Sequence, residues 1–346
     1  MSTQVKTKKI KCVVWDLDNT IWDGVLIEEA VNLKSNIINI IKTLDERGIL
    51  QSISSKNDYD IAMRQLKAYG LEEYFIYPQI NWGKKSDSIS KMCRLINIGI
   101  DTIAFIDDQS FERDEVSYVL PDVLCVDAFS IGNILERPEF NPQIVTEDAR
   151  NRRKSYMDDI KRNEEESRFE GPNEGFLKTL NMKLTLTSAT YDDLERAREL
   201  TLRTNQLNAT GYTYSIEELY DFTESDKHEL LIAELSDVYG SYGKIGLVLI
   251  EKNEDEWILK LMLMSCRIMS RGIGSIILNQ LINISLDNKV KLIAEFIQTD
   301  RNRMMYVTYK FAGFSESRKV NDLVLLENKN DEYRKIPDYI EINATI

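Results

Sequence analysis

Two aspartates separated by one leucine, Asp16 and Asp18, close the apolar run Cys12-Val13-Val14-Trp15. Paired carboxylates can share a phosphoryl transfer: one attacks phosphorus, the other handles the proton, and a hard cation neutralises the charge. Three further segments supply what that chemistry needs. A second strand pattern ends in Ser54-Ser55-Lys56-Asn57, and a hydroxyl there, Ser55, can donate to a phosphoryl oxygen. Lys85 follows Trp82-Gly83 and offers an ammonium to offset phosphoryl charge. Asp107 and Asp108 follow Phe105-Ile106 and are oxygen ligands of the kind Mg²⁺ takes. Each piece alone has an ordinary reading: a surface D-x-D, turn chemistry at Ser55, a solvated helix start at Lys85, a helix cap at Asp107-Asp108. Their order carries the argument, because all four fall where a strand pattern gives way to a helix pattern, the place where open α/β sheets bind ligands.

The elements that must position these groups read as follows. Strand patterns cover residues 10–15, 49–54, 75–77, 102–106 and 123–126. Helix patterns cover 33–46, with Leu33, Ile37, Ile40, Ile41 and Leu44 at helical spacing, then 58–68 and 85–96. Such alternation predicts an α/β fold with a doubly wound parallel sheet. Strand periodicity sends Asp16 and Asp18 to the same side. The interval from Thr20 to Ser55 holds only a short flap and one helix, and that from Ser55 to Lys85 is as tight. Neither has room for a cap domain, so the site is expected to be open to a bulky or tethered substrate, or to be covered by another domain.

Residues 149–170 are dense in Arg, Lys and Glu and read as a charged helix bridging two domains or as a partly flexible linker. Within it, Arg150, Arg152, Arg153 and Lys154 form either a basic patch for an acidic partner or a solvated helix face. From Met182 the pattern restarts, with strands at 182–190, 230–235, 244–251, 257–266 and 291–296 and helices at 191–203 and 272–285. Consecutive strands before a Gly-bearing helix predict a second, mixed α/β domain. The expected division is 1–142, a linker at 143–180, and 181–346. The helix behind Arg271-Gly272-Ile273-Gly274-Ser275 offers free backbone N–H groups and a positive dipole end to phosphate.

A net charge of −13 argues against nucleic acid as a partner. The four cysteines, Cys12, Cys93, Cys125 and Cys266, lie far apart without metal spacing, as expected of free thiols in a reducing compartment. The basic start MSTQVKTKKI has no apolar stretch behind it, and no run has the length of a membrane span. The expectation is a cytoplasmic protein. His228, the one histidine, sits in the charged run Asp226-Lys227-His228-Glu229, which speaks against a Ser/His/Asp triad.

The first of these motifs resembles that of the haloacid-dehalogenase-like phosphotransferases, D-x-D-x-T/V. The resemblance implies Asp16 as nucleophile and Asp18 as general acid and base, with Ser55 and Lys85 binding phosphate. It implies Mg²⁺ held by Asp16, the backbone carbonyl of Asp18, and Asp107 or Asp108, with Asp107 the first choice. The Gly-bearing loop, with Tyr306, Tyr309 and Gly313-Phe314 beyond it, resembles GCN5-related acetyltransferases. That likeness implies a phosphopantetheine or CoA site at Arg271, Gly272, Gly274 and Ser275. Met269 departs from it, where Gln or Arg is usual. Together the strings VVWDLDNTIWDGV, SISSKND, FIDDQSFERDEV, LRTNQLNAT, YGKIGLVL and LMSCRIMSRG resemble the FkbH-like family over nearly the whole chain. Asp23 departs from a Trp-Gly-Gly pattern. This resemblance implies dephosphorylation of a small phosphorylated acyl substrate of the 1,3-bisphosphoglycerate type and transfer of the acyl unit to the phosphopantetheine thiol of an acyl carrier protein. A thiol could hold the acyl group in transit. Cys266 is the candidate and Cys12, on the first strand, the rival. Two other readings stand beside this one: a plain phosphatase with a degenerate second domain, and a binding module with an inactive first domain.

Overall fold

The computed structural model describes residues 9–329 and 331–345; most of the basic amino-terminal run, residues 1–8, lies outside them. The chain divides into two compact units, Met1–Met157 and Asp158–Ile346.

The first unit starts with β1 (Cys12–Trp15), every residue of which is buried, as a central parallel strand requires. A flap follows, made of β2 (Trp22–Asp23) and β3 (Asn32–Leu33) paired antiparallel. Next come α1 (Ile37–Glu46), β4 (Leu50–Ser55), α2 (Tyr59–Ala68), β5 (Gln79–Ile80), α3 (Lys85–Ile96), β6 (Ile103–Asp107), α4 (Ser110–Val119) and β7 (Leu124–Asp127). The sheet order is β5-β4-β1-β6-β7, all parallel. The chain winds outward from β1 in one direction and then returns to wind in the other. Right-handed crossovers therefore send α1 and α2 to one face and α3 and α4 to the opposite one. The switch point falls between β1 and β6.

Two elements differ from expectation. The first helix starts at Ile37 and not at residue 33, because Leu33 pairs with Trp22 in the flap and Asn36 takes a left-handed φ of 64°. The third strand lies at Gln79–Ile80 and not at 75–77. Phe75 makes only an isolated bridge to Gln51, and Tyr77 turns the chain with a φ of 49°.

The charged segment forms α5 (Glu147–Arg150) and α6 (Arg152–Arg168), and the division between the units falls within α6. In the first unit, Arg152 donates to Gly48 O at 2.6 Å, Arg153 pairs with Asp45 at 3.0 Å, and the Tyr156 hydroxyl donates to Ile96 O at 3.2 Å. Arg152 and Arg153 are thus anchors of the fold, and not members of a free basic patch or a solvated face. In the second unit, Arg162 is wholly buried, bidentate to Asp237 at 2.7 and 2.8 Å, and stacked 3.9 Å from the Tyr242 ring centre. Fork-on-carboxylate geometry of this kind is among the stronger polar contacts a protein makes.

The second unit continues with α7 (Asn173–Thr179), β8 (Met182–Ser188), α8 (Leu194–Arg203), α9 (Ile216–Thr223), β9 (His228–Asp237), β10 (Gly240–Lys252), β11 (Glu256–Met264), α10 (Ile273–Asp287), β12 (Lys291–Ile297), α11 (Arg303–Phe311), β13 (Phe314–Val320), β14 (Leu323–Asn328) and β15 (Ile340–Thr345). Its eight-stranded sheet is mixed, in the order β13-β14-β12-β11-β10-β9-β8-β15. The parallel pairs are β11 with β12 and β8 with β15.

β11 and β12 pair only from Glu256–Leu259 against Lys291–Ala294. Beyond that the segment 207–209 joins them. Met264 N–H donates to Leu207 O and Ala209 N–H to Met262 O, both at 2.9 Å, and Ile297 N–H donates to Ala209 O at 3.1 Å. Asn302, wholly buried, ties the insert down by donating to the carbonyls of Asn208, Ala209 and Ile297. No helix among the described residues is long and apolar enough to cross a membrane.

Candidate active site

Parallel register brings the sequence-predicted groups to one sheet edge. Trp15 is paired with Ile53 of β4 and Ile106 of β6. Asp16 and Asp107 are each one residue further on, and the Asp16 N–H donates to Ile106 O at 2.9 Å. Ser55, two residues beyond Ile53, ends β4 and is buried.

Lys85 is the first residue of α3. Its Nζ lies 2.5 Å from Asp16 Oδ1 and 2.8 Å from Asp107 Oδ2, and all three side chains are buried. The ammonium also sits 5.6 Å from the Phe105 ring centre. Burial pushes the Asp16 carboxyl up to about 7, against the opposing pull of Lys85 and with reinforcement from Asp107. Burial alone would lower Lys85, but Asp16 and Asp107 beside it prevail and hold it above its ordinary value. Asp108 is raised by burial and by its neighbour Asp107. A buried carboxyl whose ionisation is set by a neighbouring cation marks a candidate functional group.

Asp16, Asp107 and Asp108 each present a carboxylate oxygen, all within 4.8 Å of one another. Asp108 Oδ1 is buried and has no hydrogen-bond partner among the described residues. An orphaned carboxylate oxygen facing two others fits a divalent cation with an all-oxygen ligand set. Asp107 also accepts from the Gln109 N–H at 2.8 Å through Oδ1, while Gln109, the residue that caps α4, makes no side-chain cap bond of its own.

Asp18 faces different partners. The chain leaves β1 at Trp15, and strand alternation no longer governs it two residues later. Asp18 Oδ1 accepts from the Trp22 indole N–H at 2.8 Å and the Leu26 N–H at 3.1 Å, and Oδ2 accepts from the Asn57 amide at 3.1 Å. Its carboxylate stands outside the three-carboxylate group. Trp22 and Asn57 were missed by sequence reasoning, although both lie in the segments that carry the motif. The departure at Asp23 falls on the solvent side of the flap. Asp23 is exposed and pairs with Asn32 and Lys34, while Gly24 takes the demanding φ of 99°.

Past the strand ends, large apolar side chains stand in solvent: Trp82 in the loop after β5, Phe111 in the first turn of α4 and Phe129 in the 3₁₀ segment after β7 are 66%, 73% and 84% exposed.

In the second unit the predicted loop is differently occupied. β11 ends at Met264, so Cys266 does not close a strand but opens a 3₁₀ turn, Cys266–Arg271. It is half-buried and in no disulfide. Arg271 is not available to a phosphate: it is buried, bonded to Glu166 at 2.8 Å, and its guanidinium lies 5.5 Å from the Phe176 ring centre. Gly272, with a φ of 69°, precedes α10. Gly274 lets α10 approach β11, since a Cβ there would lie 2.6 Å from Met264 Cε. Ser275 is exposed. Tyr309 is buried, and its hydroxyl has no partner among the described residues. Cys12 is wholly buried in β1, and burial raises its thiol far above the ordinary range, which suits a core residue. His228 opens β9, with Nδ1 2.9 Å from Ser225 Oγ.

No family model matches the sequence, and no curated protein does. Among solved structures the chain is similar to the N-terminal part of a Bacteroides fragilis protein containing a phosphatase domain, complexed with Mg. The identity there is 30%, over 38% of this chain and 40% of that one, with a TM-score of 0.35. This chain therefore spans about two-fifths of that protein's length. It is also similar to the ribosomal-protein-S18-alanine N-acetyltransferase of Escherichia coli, 16% identical over 42% of this chain and 92% of that one, TM-score 0.33. A further likeness is to a GNAT family acetyltransferase from Elizabethkingia anophelis with acetyl-CoA bound, 15% identical over 42% and 96%, TM-score 0.30.

Proposed function

We propose that the chain is a Mg²⁺-dependent phosphotransferase in which Asp16 takes a phosphoryl group from a small phosphorylated acyl substrate. The observation that carries this reading is the buried Asp16–Lys85–Asp107 cluster beside the orphaned oxygen of Asp108. Mg²⁺, held by Asp16, Asp107, Asp108 and the backbone carbonyl of Asp18, would supply charge neutralisation at the phosphoryl oxygens. Lys85 pulls the nucleophile toward its ionised form and adds its own charge toward the phosphoryl group, with Ser55 as a hydroxyl donor at the same edge. Asp18 gives a proton to the departing oxygen and later takes one from water. Asp16→Asn tests the assignment: phosphate release should fall by at least about a thousandfold, and release at the parent rate would refute the nucleophile.

The finer reading is that the acyl unit is kept and loaded onto an acyl carrier protein. A substrate of the 1,3-bisphosphoglycerate type carries an acyl phosphate and an ester phosphate. Hydrolysis of the acyl phosphate would discard the activation that a thioester needs. The work of Asp16 in this scheme is therefore on the ester phosphate. The acyl phosphate instead yields to thiol attack at its carbonyl carbon, with inorganic phosphate leaving. The exposed Trp82, Phe111 and Phe129, each just past a strand end, support a macromolecular partner, since exposed aromatic side chains are common anchors at contact surfaces. Intact mass spectrometry of the protein and a carrier protein, after incubation with 1,3-bisphosphoglycerate and Mg²⁺, should show a glyceryl adduct. Free glycerate products with no adduct on either protein would refute the loading step. A second reading, a plain phosphatase whose second unit has lost transfer activity, is favoured by the engagement of Arg271 with Glu166.

A further inference from the structure

Trp22 belongs to the flap and yet touches the chemistry. Its ring is wholly buried, 6.4 Å from that of Tyr69, and its indole N–H reaches Asp18 Oδ1 at 2.8 Å. The two oxygens of Asp18 are unequally occupied. Oδ1 accepts two N–H donors, from Trp22 and Leu26; Oδ2 accepts one, from Asn57. A carboxylate oxygen offers two lone-pair directions. Oδ1 is therefore filled, and Oδ2 retains one free direction.

The geometry points to Trp22 as a positioning residue that makes Oδ2 the proton-carrying atom of Asp18, with Asn57 aiming it. This rests on the phosphoryl-transfer reading above. In ester cleavage an Asp16 oxygen bonds phosphorus as the bond from phosphorus to the ester oxygen breaks, and that oxygen leaves with the proton from Asp18 Oδ2. In the second step Oδ2 takes a proton from water as the water oxygen bonds phosphorus and the bond to Asp16 breaks. The sum is ester plus water giving alcohol plus phosphate.

Leaving groups separate this role from a structural one. An alkoxide needs the proton; p-nitrophenolate does not. Trp22→Phe keeps a buried ring and removes the donor. With Mg²⁺ present, kcat/KM for glycerol 3-phosphate should fall about tenfold more than that for p-nitrophenyl phosphate, a fraction of the range general acid catalysis spans. Asn57→Ala should move the ratio in the same direction. The ratio cancels any loss of folded protein. Equal losses on both esters, or no loss on either, would overturn the positioning role. A parent protein inactive on both esters would instead overturn the phosphoryl-transfer reading, so the two failures are distinguishable.

Discussion

The Lys85 ammonium stands 2.5 Å from the Asp16 carboxylate, although the two residues are 69 positions apart in the chain. The same Nζ is 2.8 Å from Asp107, so one cation is shared by the proposed nucleophile and a proposed metal ligand. The ionisation of Asp16 is consequently negotiated among three buried groups.

Mg²⁺ binding should therefore depend on pH. Asp16 is raised to about 7, and a cation must displace the proton to use this carboxylate. Its affinity should be about tenfold weaker at pH 6 than at pH 8, following the ionised fraction, as read by titration calorimetry. The sign for stability runs the other way. A carboxyl raised in the folded state contributes stability that is present at low pH and lost as pH rises through about 7. The melting temperature of metal-free protein should drop between pH 5 and pH 8, and Asp16→Asn should flatten that drop. An unchanged slope would place the titration elsewhere.

Removing the shared cation should be costly. Lys85→Met leaves Asp16 and Asp107 facing each other without compensation, and breaking a buried pair in this way costs about 3 kcal/mol or more. Urea denaturation without metal measures it. Added Mg²⁺ should restore part of the loss, because a divalent ion replaces the missing positive charge; no recovery would argue against a cation site between these carboxylates.

The aromatic rim should matter to a tethered substrate more than to a small one. Replacing Trp82 and Phe111 by Ala should weaken carrier-protein binding at least tenfold, the scale of exposed aromatic hot spots. The effect on p-nitrophenyl phosphate turnover should be far smaller. Equal effects on both would make the rim part of the small-ester site.

Cys266→Ala bears on where an acyl group rests. If the thiol carries it, the glyceryl adduct on this chain should vanish from the intact mass spectrum while phosphate release continues. Persistence of the adduct would move the acyl acceptor off Cys266, and Cys12, buried in β1, is no substitute.

Much of the first unit could be read from local pattern. Asp16, Ser55 and Asp107 each stand at the end of a strand pattern, and parallel register then brings strand ends together without further information. Lys85 was legible for a similar reason, as the first residue of a clearly periodic helix. What escaped reading depends on distant partners. Arg271 looks like a phosphate ligand until Glu166, 105 residues earlier, is seen to hold it. The indole bond from Trp22 to Asp18 exists only once the flap has folded back. The apolar content of 75–77 suggests a strand, but the left-handed φ of 49° at Tyr77 turns the chain there. Arg152 and Arg153 looked like surface charge because their acceptors, Gly48 and Asp45, lie about a hundred residues away.

The insert at 207–209 has a consequence for anything that seeks the gap between β11 and β12. The main-chain groups of Met262, Met264 and Ile297 are already answered by Leu207 and Ala209. A ligand using those groups must evict an internal competitor that is never diluted. Binding there is an exchange reaction, and its apparent affinity is reduced by the fraction of time the insert stays seated. Substitution of Asn302, which holds the insert through three carbonyls, would act as a gain control on that exchange without touching the incoming molecule.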